Sequence, residues 1–165
     1  MDVIETIRSI EISDDFSRWK NVNEDAYLTS AFSMYSEGQK REWLVSYYNS
    51  KTGKMTSFSA DNKQAQEEAF KKEETIPKLK TFEIQIKDDK AIELANKILQ
   101  DDYNGETLQR TVLVLQKINT EPIWNITMIT IMLKVINLKL SAITGKEISR
   151  KASNINDFVK HRLDS

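Results

Sequence analysis

Three aspartate doublets come nearest to a reactive group in type and spacing: Asp14-Asp15, Asp88-Asp89 and Asp101-Asp102. Paired carboxylates serve general acid–base catalysis or hold a divalent cation. Adjacent residues on a helix point about 100° apart, however, so a doublet by itself does not converge on one ion. The first two doublets stand where helices are expected to begin, and negative charge there suits the helix dipole. The third stands at an expected helix end. The single histidine, His161, lies in a C-terminal stretch between Lys160 and Arg162, with Asp164 close by in sequence; a surface tail residue is the expectation. The chain has no cysteine, which removes disulfides, zinc thiolates and thiol nucleophiles. Its four glycines are scattered, so no glycine-rich phosphate loop exists, and no Gly-x-Ser-x-Gly elbow occurs. No catalytic residue, metal ligand or cofactor is assigned, and a protein without enzymatic activity is expected.

The aromatic residues offer a different chemistry. Tyr27, Tyr35, Trp43, Tyr47 and Trp124 are candidates for a binding surface on which a peptide would stack. The same residues at alternating spacing also serve as core and cross-strand pairs. A nucleic-acid partner is not expected: 24 basic and 25 acidic residues leave a net charge of −1, and no basic surround accompanies the aromatics.

Those residues need elements to hold them. At 165 residues, 39% hydrophobic and 30% charged, the chain is long enough for one domain or two very small ones. The N-terminus lacks a long apolar core of the secretory type, so a cytoplasmic location is expected. The stretch from Trp124 to Ile148 is mostly apolar, but Asn125, Lys134, Asn137 and Lys139 interrupt it. Charges at mid-span are costly in a bilayer, so no membrane crossing is expected. β-Branched residues dominate instead, from Ile126 to Ile136, and Ile136, Leu138 and Leu140 alternate with Asn137 and Lys139. This predicts two strands with a bend near Met132 to Lys134, then a turn through Gly145.

The remaining pattern predicts a loose start with a short extended piece ending near Ile12, then a short helix capped by Ser13 with Phe16 and Trp19 facing inward. Three strands follow: Ala26 to Tyr35, with Leu28, Phe32 and Met34 on one face; Glu42 to Tyr48; and Met55 to Ala60. Asp61 to Lys80, rich in Lys, Glu and Gln, predicts an exposed helix ending before Pro77. Thr81 to Lys87 is expected to be extended, Asp88 to Tyr103 helical and Arg110 to Ile118 a strand. Lys151 to Ser165 suits a last helix carrying Phe158 and Leu163.

The two halves share an order of features. Ile10 to Asp15 and Ile84 to Asp89 both run from alternating apolar residues into an acidic doublet. Trp-led strands follow at Trp43 and Trp124, and Thr-Gly-Lys turns at Thr52-Gly53-Lys54 and Thr144-Gly145-Lys146. The expected fold is therefore α+β, with two helix-plus-antiparallel-meander units related by duplication. The expected division is an N-terminal unit over 1–61, a charged helical linker over 62–80, and a C-terminal unit with its tail over 81–165.

In Ala91 to Leu99, Trp124 to Met128 and Leu138 to Glu147 (LKLSAITGKE), the second unit resembles the PepSY domain. That family joins an alanine-rich helix to a meander closed by an Ala-x-Thr-Gly turn. Ser141 stands where the family usually has an acidic residue, and the first unit matches chiefly in Trp43 to Lys54. The resemblance implies a small binding or inhibitory module, often tied to peptidases and without catalytic residues. A protein or peptide partner is expected, held by a sheet face or edge. A small-molecule-binding or enzymatic cup of the cystatin-like kind is the alternative. Strands Arg110 to Ile118 and Trp124 to Ile131 are apolar on both faces, which calls for a cover on the second face. A homodimer through the C-terminal sheet would supply it.

Overall fold

A computed structural model of the chain describes residues 1–61, 64–68, 75–155 and 157. Its first helix, α1 (Val3–Glu11), begins with Asp2 and Glu5 capping one another. Glu5 N–H donates to Asp2 Oδ1 at 2.8 Å, and Asp2 N–H to Glu5 Oε2 at 3.0 Å. Val3, Ile7 and Ile10 then fall on one buried stripe. The expected loose, partly extended start is thus corrected: the capping box and the helical spacing extend to Ile10. Helix α2 (Asp14–Asn21) starts as expected, with the Ser13 side chain accepting from Phe16 N–H and two aspartates in the first turn.

Strands β1 (Ala26–Ser36), β2 (Leu44–Asn49) and β3 (Lys54–Ser59) form the predicted meander. A further strand, β4 (Gln64–Glu68), pairs with β3. This corrects the charged helical linker: its Lys/Glu/Gln composition favours a helix, but the unpaired edge of β3 is available to it. Ala69 and Phe70, the other apolar members of that expected helix, lie outside the described residues. Residues 75–80 run without regular structure. There Leu79 is buried and its N–H donates to the Leu28 carbonyl at 2.9 Å.

A 3-10 turn at Thr81–Glu83 replaces part of the expected extended stretch. Helix α3 (Asp88–Asp102) follows, presenting Ala91, Ala95 and Leu99 inward. The second meander comprises β5 (Leu108–Ile118), β6 (Glu121–Thr130), β7 (Lys134–Ser141) and β8 (Glu147–Asn154). β8 takes the residues where the last helix was expected to start; Phe158, His161 and Leu163 lie outside the described residues. No helix among the described residues is long and apolar enough to cross a membrane.

The eight strands among the described residues lie in one sheet, ordered β4-β3-β2-β1-β5-β6-β7-β8. The first strands of the two meanders pair antiparallel at its middle, with Phe32 opposite Val114. The architecture is α+β, as expected, but the two expected units are halves of a single continuous sheet. The helices line one face. Beneath them lies one core, including Ile7, Ile10, Val45, Phe58, Leu113, Leu115, Ile126, Leu138 and both Trp43 and Trp124.

The two halves correspond outward from the central pair. Trp43 precedes Leu44, the partner of Phe32; Trp124 precedes Asn125, the partner of Val114. The two indoles meet on the helix side, with ring centroids 6.0 Å apart. The Thr-Gly-Lys turns do not correspond. Gly53 joins the second and third strands of its meander, whereas Gly145 joins the third and fourth of the other. Both glycines take positive φ, +68° and +76°. A Cβ on Gly145 would lie 3.1 Å from Leu94 Cδ1 and 3.5 Å from Ile86 Cδ1, whereas one on Gly53 would meet nothing within 4 Å.

Gly145→Val is therefore expected to lower stability by more than about 1 kcal/mol, and by more than Gly53→Val does. Urea denaturation of the two variants checks this. Equal losses would show that the contact of Gly145 with the α3 side adds nothing to backbone strain.

Candidate functional site

The five aromatic residues proposed as a surface do not share one. Trp43, Tyr47 and Trp124 are core residues, 3%, 2% and 0% exposed. Tyr47 packs with Phe16 and Phe58, with ring centroids 4.8 and 5.9 Å away, and Trp124 donates its indole N–H to the Ile86 carbonyl at 2.8 Å. Tyr35 packs against the same core, with the Arg41 guanidinium 5.9 Å from its ring. Tyr27 meets Tyr48 edge-on on the other face, and its hydroxyl donates to the Ile76 carbonyl at 2.7 Å. Alternating aromatics here are mostly core, because the helices cover that side of the strands.

The surface the structure does present is the sheet face opposite the helices, which none of the described helices covers. A bulge in β1 between Leu28 and Ser30 creates part of it. One extra residue reverses the alternation beyond it. Ala26 and Leu28 point into the core before the bulge, and Ala31 and Ser33 do so after it. Phe32 and Met34, expected beside Leu28, turn outward instead and are 38% and 52% exposed.

Cross-strand pairing then assembles an apolar centre. Leu44, Phe32 and Val114 form one row and Met34 and Val112 the next, while Ile129 and Val135 share a third with the exposed Arg110. The third row leads to the β6–β7 turn, where Ile131, Met132 and Leu133 are all exposed. Polar residues flank this centre. On the β2–β3 side the Ser46 and Ser57 hydroxyls are 2.7 Å apart. On the β6–β7 side Asn137 Nδ2 donates to Asn125 Oδ1 at 2.7 Å and to Thr127 Oγ1 at 2.9 Å. An apolar centre with a polar rim is the anatomy of a protein interface. The sheet edges are less inviting, since β4 and β8 carry acidic and basic residues in sequence (QAQEE and EISRKASN).

Two charged features face the helix side. Where α1 and α3 begin, Asp88 is fully buried and accepts from Val3 N–H at 3.4 Å. Arg41 Nη1 is 3.3 Å from Asp88 Oδ2, close enough for Coulombic attraction, yet Oδ2 has no hydrogen-bond partner. Arg41 also pairs with Asp89, and Lys87 with Asp2 at 2.8 Å. Burial pushes the Asp88 carboxyl above the ordinary carboxylate range, and the nearby Arg41 charge opposes that shift only in part.

The second feature is a groove of about 530 Å³ beside α2, lined by residues that include Glu11, Lys20, Tyr27, Tyr47, Lys78 and Phe82. The Tyr47 hydroxyl donates to Glu11 Oε1 at 3.2 Å. Desolvation raises the Glu11 carboxyl, while that hydrogen bond works the other way. The Tyr47 hydroxyl is raised strongly by burial and further by the Glu11 charge, so it stays protonated.

The remaining aspartates diverge. Asp15 pairs with Arg18 and Asp102 with Arg150. Among the described residues no three His, Asp or Glu side chains gather as a metal site would require. Sequence reasoning missed Phe32, Met34 and Leu44, because nothing in the local sequence marks the bulge that turns β1 over.

Comparison with known proteins places the fold alone. No known family description matches the chain, and no curated protein does. Among solved structures, it is similar to a protein from Clostridium difficile 630 provisionally described as a lipoprotein. The two share 13% identity over 85% of this chain and 91% of that one, with a TM-score of 0.56.

The buried Asp88 carries a pH signature. Its folded pKa lies above the unfolded value near 3.8. Its contribution to stability is therefore fully present below that value and is lost as pH rises through the folded pKa. Asp88→Asn cannot titrate. Its stability relative to the parent protein is expected to rise from the acid side of that window to pH 7, measured by urea denaturation at each pH. A difference that stays constant across the range would show that Asp88 is not held above its ordinary range.

Proposed function

We propose that this protein is a non-enzymatic interaction module that binds another polypeptide on the open face of its sheet. One observation carries the reading: Phe32, Met34 and Leu44 stand exposed beside Val112 and Val114, between two hydrogen-bonded polar flanks. Large side chains on an uncovered sheet face gain free energy when a partner removes them from water, about 25 cal/mol per Å² of apolar surface buried. The edges, being charged, suit this role less.

A PepSY-like tandem pair, its halves related by duplication, is the finer description we favour. The Trp43–Trp124 correspondence and the helix-then-meander order of each half support it. The mismatched Thr-Gly-Lys turns weigh against equal descent of every feature. On this reading the partner is a protein or peptide, and a second copy of the chain is the first to test. Val112, Val114 and Ile129 would then lie in the dimer surface. A cytoplasmic location remains part of the proposal. The similar C. difficile protein, described as a lipoprotein, points the other way, and cell fractionation decides between them.

The cystatin-like cup ranks second. The groove beside Tyr47 and Glu11 has the volume for a small molecule, within the usual range of about 300–1,000 Å³. Its mixed lysines and acids converge on no single chemistry.

Light scattering at micromolar concentration tests the first reading. The protein is expected to have twice the chain mass, and Met34→Asp or Ile129→Asp to halve it while shifting stability by less than about 1 kcal/mol. Should the protein be monomeric, its bound proteins from native lysate are expected to be lost in Met34→Asp. A monomer whose bound set survives that substitution removes the open face from the function.

A further inference from the structure

The strands of the second meander carry six cations: Arg110 and Lys117 on β5, Lys134 and Lys139 on β7, and Arg150 and Lys151 on β8. Alternation divides them evenly between the two faces. Lys117, Lys134 and Arg150 lie on the helix side, and each has an acid. Lys117 Nζ is 2.8 Å from Glu83 Oε2, Lys134 Nζ 2.7 Å from Glu106 Oε1 and Arg150 Nη1 2.6 Å from Asp102 Oδ2. Arg110, Lys139 and Lys151 lie on the open face, with Val112, Val114 and Asn137. None of these three has an acidic partner among the described residues. The strands β5 to β8 hold two acids. Glu147 is bound to Arg150, and Glu121 stands at the start of β6, opposite Ile118.

The register sets the unpaired cations around the apolar centre. Arg110 lies beside Ile129, one row beyond Met34 and Val112. Lys139 ends the row of Phe32, Val114 and Asn125, and Lys151 that of Met34, Val112, Thr127 and Asn137. Neighbouring strands are about 4.8 Å apart, so Lys139 stands about 10 Å from Val114 and Lys151 about 14 Å from Val112. An extended chain covers that span in about three to four residues. The groups between are satisfied by one another, since Asn137 donates to both Asn125 and Thr127. The charge on this face is therefore what remains unmatched.

We propose that the polypeptide taken by the open face is acidic: its large apolar side chains cover Phe32, Met34 and Val112, and its Asp or Glu residues, about three to four positions away, meet Lys139 and Lys151. This rests on the open-face reading and adds the chemistry of the partner. Opposite charges around an apolar centre govern which partner is accepted and how fast it arrives. Three cations are too few to track a nucleic-acid backbone. A second copy of the chain would bury the apolar centre but bring the same unpaired cations, so an acidic segment is expected to displace it.

A random-peptide display library selected on the full chain tests this, in parallel with selection on Lys139→Gln/Lys151→Gln. Both lysines point away from the core, so this variant is expected to keep the parent's Tm. Peptides selected on the parent are expected to combine large apolar residues with an excess of Asp and Glu, and those selected on the variant to lack that excess. The tightest acidic peptide, synthesised with a fluorescent label, is expected to bind the variant roughly ten-fold more weakly and to bind the parent less as salt rises. A pool without acidic excess, or an excess that persists on the variant, overturns the proposal. If neutral peptides are selected and Met34→Asp loses them, the open-face reading stands and only the acidic partner falls. If Met34→Asp binds the selected peptides as well as the parent does, the open-face reading falls and the proposal with it. Cosedimentation with phosphatidylglycerol vesicles that is lost in the lysine variant also overturns the proposal, since the cations would then serve a lipid surface.

Discussion

The pairing of β1 with β5 is the constraint on which the rest depends. It joins the leading edges of two meanders, from Ser30 opposite Gln116 to Ser36 opposite Arg110. Without it each half would be a four-stranded sheet with an apolar edge, the kind of edge proteins seldom leave open. With it, Ala31 and Ser33 come to lie on the helix side at the centre. Their small side chains suit a place above which Trp43 and Trp124 meet from strands either side of the central pair. The two indoles then bind the halves of the core into one, because each is buried against residues of both meanders.

That pairing also explains which part of the fold was legible in the sequence. Strands β6 and β7, the bend between them and helix α3 follow from local alternation and helical spacing, and they stand where expected. β4 does not follow, since its composition, QAQEE, favours a helix. It is a strand because β3 presents an unpaired edge, a tertiary cause that no local window contains. Helix α1 was legible in principle, through Asp2, Glu5 and the Val3-Ile7-Ile10 stripe. The alternation of Ile10 with Ile12 obscured it, and Ile12 proves to be an exposed cap residue.

The candidate surface was less legible than the fold. Apolar character on both sides of β5 and β6 marks a second apolar face, but that pattern stops at the C-terminal half. In sequence, Ser30, Ser33, Ser46, Ser57 and Ser59 make the strands of the first half look polar. A single bulged residue changes this by exchanging Ser33 for Phe32 and Met34 on the open side. The apolar centre consequently straddles the β1–β5 junction. It belongs to neither half alone, and a reading that divides the chain into two units cannot find it.

The same division misplaces the internal correspondences. Matching the acidic doublets aligns α2 with the start of α3, and matching the Thr-Gly-Lys turns aligns a second-to-third strand connection with a third-to-fourth one. Only the tryptophans agree with the strand register. Turn and cap residues recur wherever a chain must reverse or a helix must start, so their repetition carries little information about descent. A buried tryptophan at a fixed place beside the central pair is harder to obtain twice by such local demands. The correspondence that survives is therefore the one set by the core. It is also the one whose two copies differ in a countable way, through an indole that has its acceptor and an indole that lacks one.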